Sequence, residues 1–115
     1  MSIGICVRYR DPAREEEYRP YLTQRHLTGC VWPLATAFGL ERVELVEVVC
    51  VYRSADELRE LLVQFEAVCL RLSDPTTASD RYLDAEHVLT RTSELIQHLR
   101  QALAEWTDIE EVSFF

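Results

Sequence analysis

The sequence predicts an α+β fold, a single domain over residues 1–115. A three- or four-stranded sheet packs against a long antiparallel helical hairpin, in the order β, short helices, β, α, α, β. Three observations predict it. Ser54 to Trp106 carries two consecutive apolar stripes at helical period. Two separate stretches, Ser2–Tyr9 and Val43–Tyr52, read as strands. A chain of 115 residues with 48% hydrophobic content suits one core rather than two.

The first strand alternates, with Ile3, Ile5, Val7 and Tyr9 on one side and Gly4, Cys6 and Arg8 on the other. Arg10-Asp11-Pro12 breaks it. Asp11-Pro12 suits a helix start, with Glu15, Glu16 and Glu17 in the first turns, and Pro20 interrupts any helix begun there. Residues 12–28 therefore read as a short helix or helical loop. Leu27 to Phe38 repeats apolar residues at helical spacing. Pro33 would cost about 3 kcal/mol inside a helix, which puts the start at Trp32 or Pro33. Gly39 falls where a left-handed cap is wanted.

Val43–Tyr52 is apolar on both faces, apart from Glu47, and reads as a central strand covered on both sides. Ser54-Ala55-Asp56-Glu57 has capping-box spacing. The stripe Leu58, Leu61, Leu62, Phe65, Val68, Cys69 and Leu72 follows, ended by Ser73-Asp74-Pro75. The second helix is expected to start between Pro75 and Asp80, capped by Thr77 or Ser79, and to run to Trp106, roughly 40 Å. Its stripe is Ala85, Val88, Leu89, Thr92, Leu95, Ile96, Leu99, Ala102, Leu103 and Trp106. Ile109–Phe115 has strand character and is expected to add to a sheet edge.

Charge narrows the partners. The net charge is −8, with residues 1–40 at +1 and residues 41–115 at −9. Such a surface is a poor match for nucleic acid or an anionic membrane, whose binding depends on basic groups. It suits a basic protein, because opposite fields speed association. No run approaches the ~18–20 apolar residues of a membrane span, and Met1–Val7 lacks the basic start of a signal peptide. The expectation is a cytoplasmic protein. The chain has neither Lys nor Asn. Both have A-rich codons, so a G+C-rich bacterial source is expected.

No catalytic residue, metal or cofactor is expected. The three glycines, Gly4, Gly29 and Gly39, write no P-loop, dinucleotide fingerprint or nucleophile elbow. Cys6, Cys30, Cys50 and Cys69 are spaced by 24, 20 and 19, without the close pairs of structural zinc sites. They read as reduced, small apolar residues. His87 and His98 lie about 16 Å apart along one helix, too far for a shared metal. Glu47, Cys50 and His26 are the residues to watch for a pocket between sheet and helices.

Two acid clusters remain as candidate partner-binding residues: Glu15, Glu16 and Glu17, and Glu105, Asp108, Glu110 and Glu111 at the exit of the long helix. Trp106 sits among the second set. An aromatic amid charges suits an interface, although its register assigns Trp106 to the core. In general type the chain resembles the immunity proteins of bacterial polymorphic toxin systems. The resemblance rests on a short acidic α+β chain opening with the strand Ser2-Ile3-Gly4-Ile5-Cys6-Val7, on the acid clusters, and on the lack of a catalytic motif. It implies a tight complex with a cognate toxin whose active site is blocked by carboxylates mimicking substrate phosphate. The alternatives are a homodimeric structural or adaptor protein, and a small ligand-binding domain or enzyme with a sheet–helix pocket.

Overall fold

Strand β1 (Ser2–Tyr9) lies inside the sheet and organises it. The structure is a computed structural model and describes residues 2–46, 51–77 and 81–115. Strand β2 (Glu17–Thr23) pairs antiparallel with one side of β1, and β4 (Ile109–Phe114) with the other. The two-residue β3 (Val51–Tyr52) pairs with β4, giving the order β2-β1-β4-β3. The period of two turns Ile3, Ile5, Val7 and Tyr9 of β1, with Val112 and Phe114 of β4, onto one face. That face meets the helices in one core.

Between β2 and β3 the chain is helical: α1 (Gln24–His26), a π turn (Leu27–Val31), α2 (Trp32–Phe38) and α3 (Glu41–Glu44). Gly39 closes α2 at φ 68°, the left-handed cap its position predicts. The two long helices of the predicted hairpin are α4 (Ala55–Ser73) and α5 (Ala85–Ala104). Glu66 meets Arg100 at 3.1 Å while Cys69 meets Ser93 at 3.7 Å, so they run antiparallel. Leu58, Leu61, Leu62, Phe65 and Val68 of α4 are buried, as are Val88, Thr92, Leu95, Ile96, Leu99 and Ala102 of α5. No described helix is long and apolar enough to cross a membrane.

The α+β class and the helical pair match the sequence reading; several local expectations do not. Residues 17–23 form a strand, not a helix. Pro20 forbids the helix but is tolerated in an edge strand, where its missing N–H faces no neighbour. Val43–Tyr52 is not a central strand. Val43 and Val46, three apart, point into the core from α3 and the turn after it, and among the described residues of this stretch only Val51–Tyr52 pairs, at the sheet edge. Residues 47–50, with Glu47 and Cys50, lie outside the described residues. The α3 amides that a helix start leaves unpaired are met by α4: Gln64 Oε1 accepts from Arg42 N (2.6 Å) and Val43 N (3.2 Å). The terminal strand is interior, between β1 and β3, rather than an edge addition.

Helix α5 begins at Ala85, later than Pro75–Asp80. Its N-cap position is Asp84 in the left-handed region (φ 49°), not Thr77; Ser79 lies outside the described residues. Twenty residues make it about 30 Å long, shorter than expected. Ser54 does stand at the N-cap of α4, but its side chain makes no capping bond. Its carbonyl takes the first helical bond, from Leu58 N at 3.1 Å.

One buried polar pair ties sheet to helix. Tyr21 Oη and Thr92 Oγ1 lie 2.7 Å apart, both buried, and burial pushes the Tyr21 hydroxyl well above its usual pKa. Thr92→Val should strand the Tyr21 hydroxyl and cost about 1–3 kcal/mol by urea denaturation. Adding Tyr21→Phe should recover most of that loss, because an apolar pair leaves no unmet donor. Additive losses in the double variant would show that the bond is not what couples them.

Candidate protein-binding face

The sheet has a second face, made by the residues that alternate with the core set. On β1 these are Gly4, Cys6 and Arg8. The register places Tyr18 and Ser113 beside Cys6, and Glu111 beside Arg8. Val51 and Arg53 of the β3 side flank Ser113 and Glu111. Among the described residues, the helices lie against the opposite face.

One end of this face is aromatic. The Tyr18 ring folds across β1 over Gly4. A side chain at Gly4 would collide with Tyr18 (Cζ 2.6 Å) and with the Arg19 carbonyl oxygen (2.7 Å), so glycine makes room for the ring. Phe115 continues β4 and is held to the same glycine by two backbone bonds, Gly4 N to Phe115 O at 2.7 Å and Phe115 N to Gly4 O at 3.0 Å. The two rings meet at 5.9 Å, tilted by 31°. Tyr18 is 48% exposed and Phe115 62%.

The other end is charged. Arg8 reaches Glu111 (3.4 Å), Glu110 (3.5 Å) and Glu16 (3.9 Å), and Arg53 reaches Glu111 (3.7 Å). The Glu111 side chain, 14% exposed, is thus clamped between two guanidiniums. Cys6 lies between the two ends, 3.5 Å from Glu16 Oε2. Burial, and then the bond to Glu16, raise its thiol pKa, which opposes a thiolate nucleophile.

The β1–β2 turn is clipped to the exit of α5. Arg10 N donates to Asp108 O (2.9 Å) and Arg10 Nε to Ile109 O (3.1 Å). Arg14 stacks on the Tyr9 ring at 3.6 Å and approaches Glu17 at 4.0 Å. The two acid clusters, about ninety residues apart in sequence, therefore meet at one end of the molecule. Glu16, Glu110 and Glu111 share Arg8. Glu17 and Glu105 line one cleft with Tyr9, Arg19, His98 and Gln101. Among the described residues Glu15, Glu105 and Asp108 make no ion pair. With Asp11, this end carries eight carboxylates against Arg8, Arg10, Arg14, Arg19 and Arg53.

The cleft holds about 20 Å3, room for a water rather than a substrate. Burial, with Arg19 nearby, lowers the pKa of His98 in its wall. His26, one of the residues to watch for a pocket, sits instead in a surface cluster. His26 Nδ1 lies 2.7 Å from Thr23 Oγ1, its Nε2 3.0 Å from Asp84 Oδ2, and its ring 5.0 Å from that of His87. Among the described residues no group of three or more His, Cys, Asp or Glu is arranged to hold a metal. Cys30 is fully buried, its thiol pushed up to about 11 by burial. Trp106 packs against the core, as its register predicts.

Sequence reasoning missed Tyr18, Phe115 and Arg8 as parts of one site. Tyr18 was hidden by the helical reading of residues 12–28. The available signal was Phe115, an exposed aromatic in a strand rich in acids. Comparison of the chain with family models, with curated proteins and with solved structures finds no match in any of the three.

Proposed function

We propose that this chain is an acidic protein-binding inhibitor, of the general type of the immunity proteins of bacterial toxin systems, acting in the cytoplasm on a basic partner domain. The observation that carries the reading is the convergence of both acid clusters at one end of the molecule, where Glu16, Glu110 and Glu111 gather on Arg8 on a sheet face that no described helix covers and that carries two exposed aromatics at its other end. The aromatics supply buried contact area and the carboxylates select a cationic partner; interfaces concentrate binding energy in such anchors within a polar surround. The acids that make no ion pair among the described residues, Glu15, Glu105 and Asp108, are the ones available to meet the cationic groups of a nuclease-type or other phosphate-binding active site. Nucleic acid and anionic membrane are disfavoured by the same field.

The test is co-expression with the product of the adjacent gene. The expected result is a complex that survives size exclusion, and rescue of growth when that product is harmful. Failure to bind and failure to protect would together end the reading.

A further inference from the structure

Helix α4 has a second apolar seam. Its buried stripe faces the sheet and α5. On the opposite side Val63 (62% exposed) and Leu70 (70% exposed) flank the half-buried Ala67. The spacing i, i+4, i+7 puts all three on one line along the helix. Arg71, next to Leu70 in the chain, sets its guanidinium 4.2 Å above the ring of the partly exposed Phe38. Apolar residues aligned on one exposed helix face mark a contact surface more than scattered ones do.

Charge identifies the occupant. Arg59 stands one turn before Val63 and Asp74 one turn after Leu70. Arg59 is exposed and, among the described residues, pairs with Asp56 alone, at 2.8 Å. The Asp74 carboxylate accepts from Thr76 N (2.9 Å) and Thr76 Oγ1 (2.8 Å), which lowers its pKa and keeps it ionised. We infer that this seam pairs with the same seam of a second copy, antiparallel about a two-fold axis between Glu66 and Ala67. In that arrangement Val63 faces the Leu70 of the second copy, and Arg59 faces its Asp74. A parallel arrangement would set Arg59 against Arg59 and Asp74 against Asp74, which like-charge repulsion opposes. Ala67 beside the axis lets the helices approach closely. Glu66 is turned toward α5 by Arg100, which relieves repulsion between the two copies of Glu66.

The seam is only a few turns long and falls short of the ~1,200–2,000 Å2 of a standard interface, so the pairing is weak and concentration-dependent. It is independent of the inhibitor reading, because α4 presents this seam on the side away from its buried stripe and the sheet.

Sedimentation velocity from about 10 μM to about 1 mM tests it. The wild-type chain should shift from monomer to dimer within that range, and Leu70→Glu, exposed and harmless to the fold, should abolish the shift. Arg59→Glu and Asp74→Arg should each weaken the dimer at least tenfold. Mixing those two variants should restore a heterodimer, because each contact then joins opposite charges. Circular dichroism confirms that each variant is folded. A wild-type chain that stays monomeric, a dimer that survives Leu70→Glu, or a mixture that behaves as its separate components overturns the inference.

Discussion

Phe65→Ala is expected to destabilise the protein by about 3–5 kcal/mol, the largest effect of any single substitution considered. Phe65 is fully buried on α4 and reaches two strands at once. Its ring meets Tyr21 of β2 edge-on at 5.8 Å and stacks near Phe114 of β4 at 6.4 Å. Truncation removes apolar area, opens a cavity where helix and sheet join, and loses both aromatic contacts. Domains of this size are stable by only about 5–15 kcal/mol, so the variant should lose a large fraction of that margin. With a urea slope of about 1–3 kcal/mol/M, the midpoint should fall by roughly 2 M. Phe65→Leu, which keeps most of the volume, should cost under about 2 kcal/mol. Loss of less than about 1 kcal/mol in Phe65→Ala would show that the helix pair is not anchored on the sheet through this ring.

The second large effect concerns binding. In complex with the adjacent gene product, Tyr18→Ala and Phe115→Ala should each cost about 2 kcal/mol or more, close to thirtyfold in Kd, mainly through faster dissociation. Replacing Glu15, Glu105 and Asp108 together by Gln, Gln and Asn should act differently. It should slow association and flatten its dependence on salt, because exposed rim charges steer encounter more than they hold the complex. Calorimetry for affinity and biolayer interferometry for rates separate the two. Thermal melts of the free variants exclude unfolding, which matters for Tyr18 because its ring covers Gly4. Affinity within about threefold of wild type after both aromatic truncations would remove this face from the interface.

The two readings are compatible in one molecule. The acidic face lies on the sheet, beyond the core from the exposed seam of α4. A chain paired through α4 would present two such faces to partners.

Sequence by itself determined the elements whose signal is local. Helices α4 and α5 are long enough for a 3.6-residue stripe to repeat several times. Ser2–Tyr9 alternates without interruption, and Gly39 answers to a single backbone angle. It also determined which acids were candidates, since composition and clustering need no coordinates. It misjudged the pieces that are short or depend on a partner. Val43 and Val46 satisfy a helical turn as well as a strand, and Gln64 of α4, accepting from two amides, holds the turn. Residues 17–23 become a strand because β1 offers its edge, a contact Pro20 tolerates only there. Tertiary structure alone decided the site. Antiparallel pairing of β4 with β1 brings Glu110 and Glu111 to Arg8, and the β1–β2 hairpin brings Glu16 to the same guanidinium. Hydrogen-bond register between distant strands sets these neighbours, and no periodicity within one segment encodes it.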